Sequence, residues 1–173
     1  MDEKTRSAID KVVAKTIQKV GFNQPPITIE LILQELEVDR DFVDLEDPSL
    51  LGRFKNILRV GGAFITNILG KIKLEGIWLP KEGKILVQKT LPDPKIEWAS
   101  FHEANHRLFP WHRQIFLGDT AQTLDPDFQE MLENEANYGA SALMFGGSMF
   151  TEEAVDTVPG WESIKLLKKR YKK

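Results

Sequence analysis

The sequence predicts an α+β fold, in which helices surround a small β-sheet. Amphipathic helical patterns occupy both ends of the chain, and short β-rich runs separated by Pro80 and Gly83 lie between them. Helices that are grouped before and after strands, rather than alternating with them, are typical of α+β domains. The chain has 173 residues, of which 42% are hydrophobic. We therefore expect a single domain over residues 1–173 with one buried core.

The N-terminal part is predicted to be helical. Apolar residues recur at helical spacing over residues 7–20, and Gly21 follows as a stop. Thr28 is placed to cap a second, short helix. The acidic stretch 35–47 lacks the central Gly and closing Glu of a calcium loop, so we interpret it as a solvated connection. A third helix is expected over residues 48–58.

The middle of the chain changes from helical to β-rich. Residues 63–73 are ambiguous between helix and strand, whereas residues 76–80 and 84–88 predict a small hairpin. A helix is then expected from residue 95 or 96 to residue 109, where Pro110 stops it.

The C-terminal part is again predicted to be helical. A loop containing Gly118 leads to a helix from residue 127 to about residue 145, and Gly146 with the next glycine closes it. Residues 163–173 form a basic tail. Because only Tyr171 accompanies these charges as an aromatic, we interpret the tail as a solvated helical end rather than a nucleic-acid patch.

The composition excludes several classes of protein. The absence of cysteine rules out disulfides, thiolate metal sites and a cysteine nucleophile, so a metal would need His and carboxylate ligands. The net charge of −3 gives no reason to expect a nucleic-acid partner. The N-terminus lacks the apolar run of a signal peptide, and the most apolar stretch, 60–69, is shorter than the ~20 residues that span a bilayer. We expect a soluble cytoplasmic protein with no membrane partner.

The predicted helix before Pro110 contains His102-Glu103-Ala104-Asn105-His106, a His-Glu-x-x-His pattern. Side chains four residues apart project from one face of a helix, so two imidazoles can converge on a zinc ion. Glu103 flanks that face, where a carboxylate can take a proton from metal-bound water. Catalytic zinc usually has a third protein ligand.

The alternative is a surface helix with two solvated histidines. Trp98, Phe101 and Leu108 flank the pair and indicate a largely buried helix, in which uncompensated histidines would be costly. We therefore favour the zinc site.

The next predicted helix offers Glu130, Glu133 and Glu135 as candidates for the third ligand. Glu133 is favoured because Asn137 lies one turn further on, where it could hydrogen-bond a ligating histidine. Glu135 has only Gly139 at that spacing. The alternative, that Glu133 is a solvated acid on the helix face, stays open.

His112 is the third histidine of the chain. It is also a candidate for the third ligand, but it lies beyond Pro110, off the helical face of the pair. It could lie behind the metal ligands, donate to the oxyanion in the cleft, or cap a loop.

Three runs together resemble the ImmA/IrrE family of zinc metallo-endopeptidases. They are the His-Glu-x-x-His pattern, Glu133-Asn134-Glu135-Ala136-Asn137 and Ala140-Ser141-Ala142-Leu143-Met144. Pro25-Pro26-Ile27 adds to the likeness. The resemblance divides the domain into an N-terminal helix over residues 1–24, a catalytic core over 25–150 and a basic tail over 151–173.

The resemblance implies a zincin-like domain with a gluzincin-like site. His102, His106 and Glu133 would bind Zn²⁺, Glu103 would act on the water, and Asn137 would support a ligand. The separation of Glu133 from His106 is similar to that in the family. Mn²⁺ is an alternative, since two His and one carboxylate accept either ion.

Members of this family are intracellular proteases that cleave helix-turn-helix repressors and thereby regulate transcription. The expected partner is therefore a DNA-binding repressor, cleaved as a protein substrate. The alternative is a non-catalytic, metal-binding regulatory protein on the same scaffold. If the strand at residues 83–89 is a sheet edge, it could pair with an extended substrate, although ordinary sheet pairing is favoured. The sequence does not indicate an oligomeric state.

The sequence departs from the family at positions that are not metal ligands. Ala104-Asn105 stands where relatives usually carry Leu-Gly, and Phe145-Gly146 stands where a Pro follows the Leu-Met pair. The basic tail resembles the start of a helix that relatives continue further, so we expect a truncated or short member.

Overall fold

The structure is a computed structural model that describes residues 1–22, 26–47, 49–50, 75–115, 125–156 and 161–170. The described helices are α1 (Glu3–Lys19), α2 (Ile29–Leu36), α3 (Asp93–Leu108), α4 (Pro110–Ile115), α5 (Pro126–Met144), α6 (Met149–Asp156) and α7 (Trp161–Arg170). The described strands are β1 (Asp39–Val43), β2 (Gly76–Leu79) and β3 (Lys84–Gln88). Most of the helix predicted over 48–58, and all of the ambiguous stretch 63–73, lie outside the described residues.

The three described strands form one mixed sheet in the order β1-β3-β2. The predicted hairpin is confirmed, because β2 and β3 pair antiparallel with Gly76 opposite Val87. β1 pairs parallel to β3. β3 is therefore the central strand of the described sheet, which confirms the favoured interpretation of ordinary sheet pairing and excludes the alternative of a substrate-binding edge at this strand.

The acidic stretch predicted to be a solvated connection contains β1. The strand was not predicted because its charged residues do not show the alternation of apolar and polar residues that indicates a strand. They are tolerated because β1 lies at the edge of the described sheet, where they are exposed. Asp41 lies opposite Leu86, and its carboxylate forms an ion pair of 2.8 Å with Lys84. Arg40 extends from the same strand to the Ser100 hydroxyl, 3.0 Å away on α3. Cross-strand and long-range polar contacts thus stabilise a strand with little apolar surface.

The core lies around α3, which packs against β2 and β3 and against α5. α1 packs along α5 and α2 packs against α3. Side chains of all these elements join one apolar cluster, and its largest fully buried members are Ile9, Val13, Ile27, Ile32, Ile85, Val87, Phe101, Phe109 and Leu143. The N-terminal helix is therefore part of the same core as α3 and α5.

The long helices end where turn chemistry predicts. Phe109 leaves the helical conformation immediately before Pro110, which ends α3. Asp125 caps α5 by accepting a hydrogen bond from the Asp127 N–H. Gly146 and Gly147 follow α5 with φ of 73° and 64°, the left-handed region that glycine adopts without strain.

Two short helices, α4 and α6, were not predicted, because α4 begins at Pro110 and α6 begins two residues after Gly147, positions at which the sequence indicates the end of a helix. The described part of the chain is thus mostly helical with a three-stranded mixed sheet, which agrees with the α+β prediction. None of its helices is both long and apolar enough to cross a membrane.

Candidate metal centre

The structure brings His102, His106 and Glu133 together between α3 and α5. The Nε2 atoms of the two histidines lie 3.1 Å apart. Glu133 places Oε2 at 3.0 Å from His102 Nε2 and Oε1 at 3.5 Å from His106 Nε2. Ligand atoms at 2.0–2.1 Å from a tetrahedral zinc ion are about 3.3 Å apart. These three side chains could hold a metal ion.

Asn137 holds the other ring nitrogen of His102. Its amide oxygen lies 3.0 Å from His102 Nδ1. An amide oxygen accepts but cannot donate, so Nδ1 must carry the imidazole proton. Nε2 of a neutral His102 is then left without a proton, as a metal ligand must be. The sequence assigned this supporting role to Asn137, which lies one helical turn after Glu133.

The other ring nitrogen of His106 contacts His112. The two Nδ1 atoms lie 3.0 Å apart, and His112 is fully buried. His112 Nε2 in turn lies 3.0 Å from Glu135 Oε2, which also accepts a hydrogen bond of 2.7 Å from the Trp111 indole N–H. Of the positions expected for His112, the structure therefore has the one behind the metal ligands, not in the cleft.

Glu135 was the less favoured candidate for the third ligand. It lies behind His112, on the Nδ1 side of the His106 ring, whereas the potential ligand atom of His106 is Nε2. The Glu135 side chain is buried, and within the described part of the chain its carboxylate accepts hydrogen bonds from groups on α4. Burial acts to raise the pKa of Glu135, but the hydrogen bonds from His112 and Trp111 outweigh it and hold this pKa below its usual value. Glu130, the remaining candidate, is exposed and outside the group.

Glu103 lies on the side of α3 that faces β2. It is 8% exposed, and its Cγ would be 2.9 Å from a Cβ placed on Gly76. Burial is the main cause that raises the pKa of Glu103 to about 7, partly opposed by the charge of His102 and supported by the charge of Glu133. A carboxyl group with that pKa can both accept and release a proton near neutral pH.

The two histidines of the candidate centre have opposite pKa shifts. Burial acts to lower the pKa of His102, but the contact with Glu133, the charge of Glu103 and the hydrogen bond of Asn137 raise it to about 9. Burial, with the charges of His102 and His112, holds the pKa of His106 well below its usual value. When His102 is protonated, its second proton is on Nε2, where a cation would bind.

Solvent reaches the centre from the side of Glu133. The Glu133 side chain is 43% exposed and that of His102 is 13% exposed, whereas that of His106 is 3% exposed. The ligand set thus has one buried and two accessible members. A metal ion or a small molecule could therefore reach the centre from the side where Glu133 is exposed.

No protein-family model and no curated protein matches the chain. The likeness to the ImmA/IrrE family therefore stays a prediction, and the chemistry assigned to the site rests on its geometry.

Proposed function

We propose that the protein is a zinc-dependent metallo-endopeptidase of the ImmA/IrrE type, with a zincin-like domain. The observation that carries this proposal is the convergence of His102, His106 and Glu133, with Glu103 next to the two histidines on α3. Buried carboxyl groups are unusual in a helix unless they have a partner or a role. The donor set of two imidazoles and one carboxylate fits Zn²⁺ and accepts Mn²⁺.

The proposed mechanism assigns a task to each residue. His102, His106 and Glu133 hold the cation, which when bound polarises the scissile carbonyl and lowers the pKa of water. Glu103 takes a proton from the attacking water and gives it to the amine that leaves. The overall reaction is peptide plus water to carboxylate and protonated amine. Asn137 keeps the His102 ring oriented during these steps.

β2 offers a place for an extended substrate. Among the described residues β2 is an edge strand, paired only to β3. The Gln88 N–H donates to the Glu75 carbonyl, so the alternation of an antiparallel pair turns the peptide groups of Gly76 and Trp78 away from β3. Glu103 accepts a hydrogen bond from the Trp78 backbone on that outer side. A substrate strand added to β2 would therefore pass close to Glu103.

The proposed substrate is a helix-turn-helix repressor, on the strength of the family resemblance, and the proposed compartment is the cytoplasm. The first experiment is elemental analysis of the purified protein with His102→Ala as control. About one zinc or manganese per chain, lost in the variant, is expected. A protein that neither contains metal nor takes up added zinc would contradict the proposal.

The second experiment tests cleavage. The chain is co-expressed with repressors encoded near it, and immunoblots follow their length. We expect a fragment with the native chain and none with Glu103→Gln, which should retain its metal. Cleavage that persists in Glu103→Gln would contradict the assigned role of Glu103.

A non-catalytic, metal-binding regulatory protein is the second candidate. The contact of Glu103 with the backbone of Trp78 favours it, because this contact could give Glu103 a purely structural task. In that case the metal would be present, and no repressor would be cut by the native chain. The two experiments together distinguish the candidates.

A further inference from the structure

We infer that Glu135 and His112 are positioning residues, which together fix the proton and the orientation of His106. The inference rests on the proposed metal site. It concerns a chain of contacts that runs from the Glu135 carboxylate through both nitrogens of His112 to His106 Nδ1. The chain joins α5, α4 and α3.

The direction of each hydrogen bond in this chain is set by its two ends. A metal ligand must have a bare Nε2, so a neutral His106 carries its proton on Nδ1 and donates it. His112 Nδ1 must then accept, which places the His112 proton on Nε2, from where it donates to Glu135. An ionised carboxylate only accepts, so no two protons and no two lone pairs face each other.

The opposite arrangement is incompatible with metal binding. If His112 Nδ1 carried a proton, it would donate to His106 Nδ1, and the proton of neutral His106 would move to Nε2. That atom lies 3.1 Å from His102 Nε2 and 3.5 Å from Glu133 Oε1, where the cation would bind. Glu135 therefore selects the form of His106 that a metal requires.

The charge of Glu135 gives a second, independent argument. Its side chain is only 4% exposed, and its hydrogen-bond partners among the described residues are the neutral indole of Trp111 and the ring of His112. A buried carboxylate without a cation nearby is costly. A divalent ion beyond His106 would balance this charge together with that of Glu133. Carboxylates that hydrogen-bond a ligating histidine also raise its basicity.

Trp111 helps to fix the position of the Glu135 carboxylate. Its indole stacks on Phe109 with ring centroids 5.2 Å apart and planes at 4°, and Phe109 is fully buried. The indole N–H donates to the same Oε2 atom that His112 approaches. Two donors thus hold Glu135 Oε2 in place. Because His112 contacts both Glu135 and His106, they also restrict the orientation of the His106 ring.

The test measures zinc affinity by competition with a chelator, in Glu135→Gln and in Glu130→Gln as matched control. Glutamine keeps the size of the side chain and removes its charge, and Glu130 is exposed on the same helix. We expect zinc binding about 10–100-fold weaker in Glu135→Gln and unchanged in the control. The visible spectrum of the cobalt(II)-substituted protein should also change in Glu135→Gln, because the orientation of His106 changes.

The outcomes separate this inference from the metal site itself. Native protein that binds zinc, with Glu135→Gln within about threefold of it, would overturn the positioning role and leave the metal site intact. Native protein that binds no zinc would overturn both. If Glu135→Gln does not fold, nitrogen–proton correlations of the histidine rings in native, zinc-loaded protein decide. A proton on His112 Nε2 supports the inference, and one on His112 Nδ1 overturns it.

Discussion

Asn105 on α3 occupies the space that a side chain at position 139 would need on α5. A Cβ added to Gly139 would lie 2.6 Å from the Asn105 amide oxygen and 2.5 Å from Phe109 Cζ. The two helices therefore approach closely at this point, near Asn137 and His102. This approach is what allows Glu133 and Asn137 to reach the histidines of α3.

Gly139→Ala should destabilise the protein, although alanine is by about 1 kcal/mol the better helix former. The contact distances are too short for a methyl group, and overpacking of this kind costs about 1–3 kcal/mol. Thermal unfolding of the metal-free protein measures the effect. Asn105→Gly in the same chain should recover part of the loss, because it removes one of the two obstacles. An unchanged or higher unfolding midpoint in Gly139→Ala would contradict the close packing.

A hydrogen bond within α3 orients the Asn105 side chain at this contact with Gly139. The Asn105 amide nitrogen donates to the Phe101 carbonyl, 2.8 Å away, so the side chain folds back along its own helix.

Glu133→Ala should abolish tight metal binding. Glu133 contributes the only carboxylate in the group of potential ligands found among the described residues. Loss of a direct ligand should weaken zinc affinity by more than about 100-fold, beyond the cost of losing a supporting residue. Chelator competition measures it, with the exposed Glu130→Ala as control. Full zinc occupancy in Glu133→Ala would show that the third ligand is another residue.

The sequence was sufficient to predict elements and contacts that depend on local periodicity. The hairpin, α3, α5 and the alignment of Asn137 with Glu133 were all predicted from spacings of two, three or four residues. The parallel pairing of β1 with β3 could not be predicted, because charged residues dominate β1 and its partner lies far along the chain. The link from His112 to Glu135 joins two helices, so no local spacing reveals it.

Gly76→Ala should impair cleavage and leave metal binding intact. A Cβ at this position would lie 2.9 Å from Glu103 Cγ and 3.2 Å from its Oε1, so the flexible carboxylate would have to move. Displacement of a general base costs up to the roughly 10²–10⁴-fold that such a group contributes. The rate of repressor cleavage and the zinc affinity are measured together. Cleavage by Gly76→Ala at the native rate would contradict the close contact between position 76 and the Glu103 carboxylate.

The metal-free protein should become less stable as the pH rises from about 7 to about 9. His102 has its pKa raised from 6.5 to about 9, so the proton that it shares with Glu133 stabilises the fold below pH 6.5 and is lost as the pH passes 9. The lowered pKa of His106 affects stability only below pH 6.5, the usual pKa of histidine, and therefore not between pH 7 and pH 9. Unfolding midpoints of chelator-treated protein across this range measure the effect.

The proton on His102 Nε2 should also make metal binding depend on pH, in the opposite direction to stability. A cation can bind His102 only after its Nε2 loses the proton, so zinc affinity should rise with pH up to about 9 and then level off. Titration calorimetry at about pH 7.5, in two buffers that differ in protonation enthalpy, counts the protons released. We expect about one proton per zinc, released from His102 Nε2. Release of no proton would mean that His102 is already neutral in the metal-free protein, whose stability would then not fall between neutral and alkaline pH.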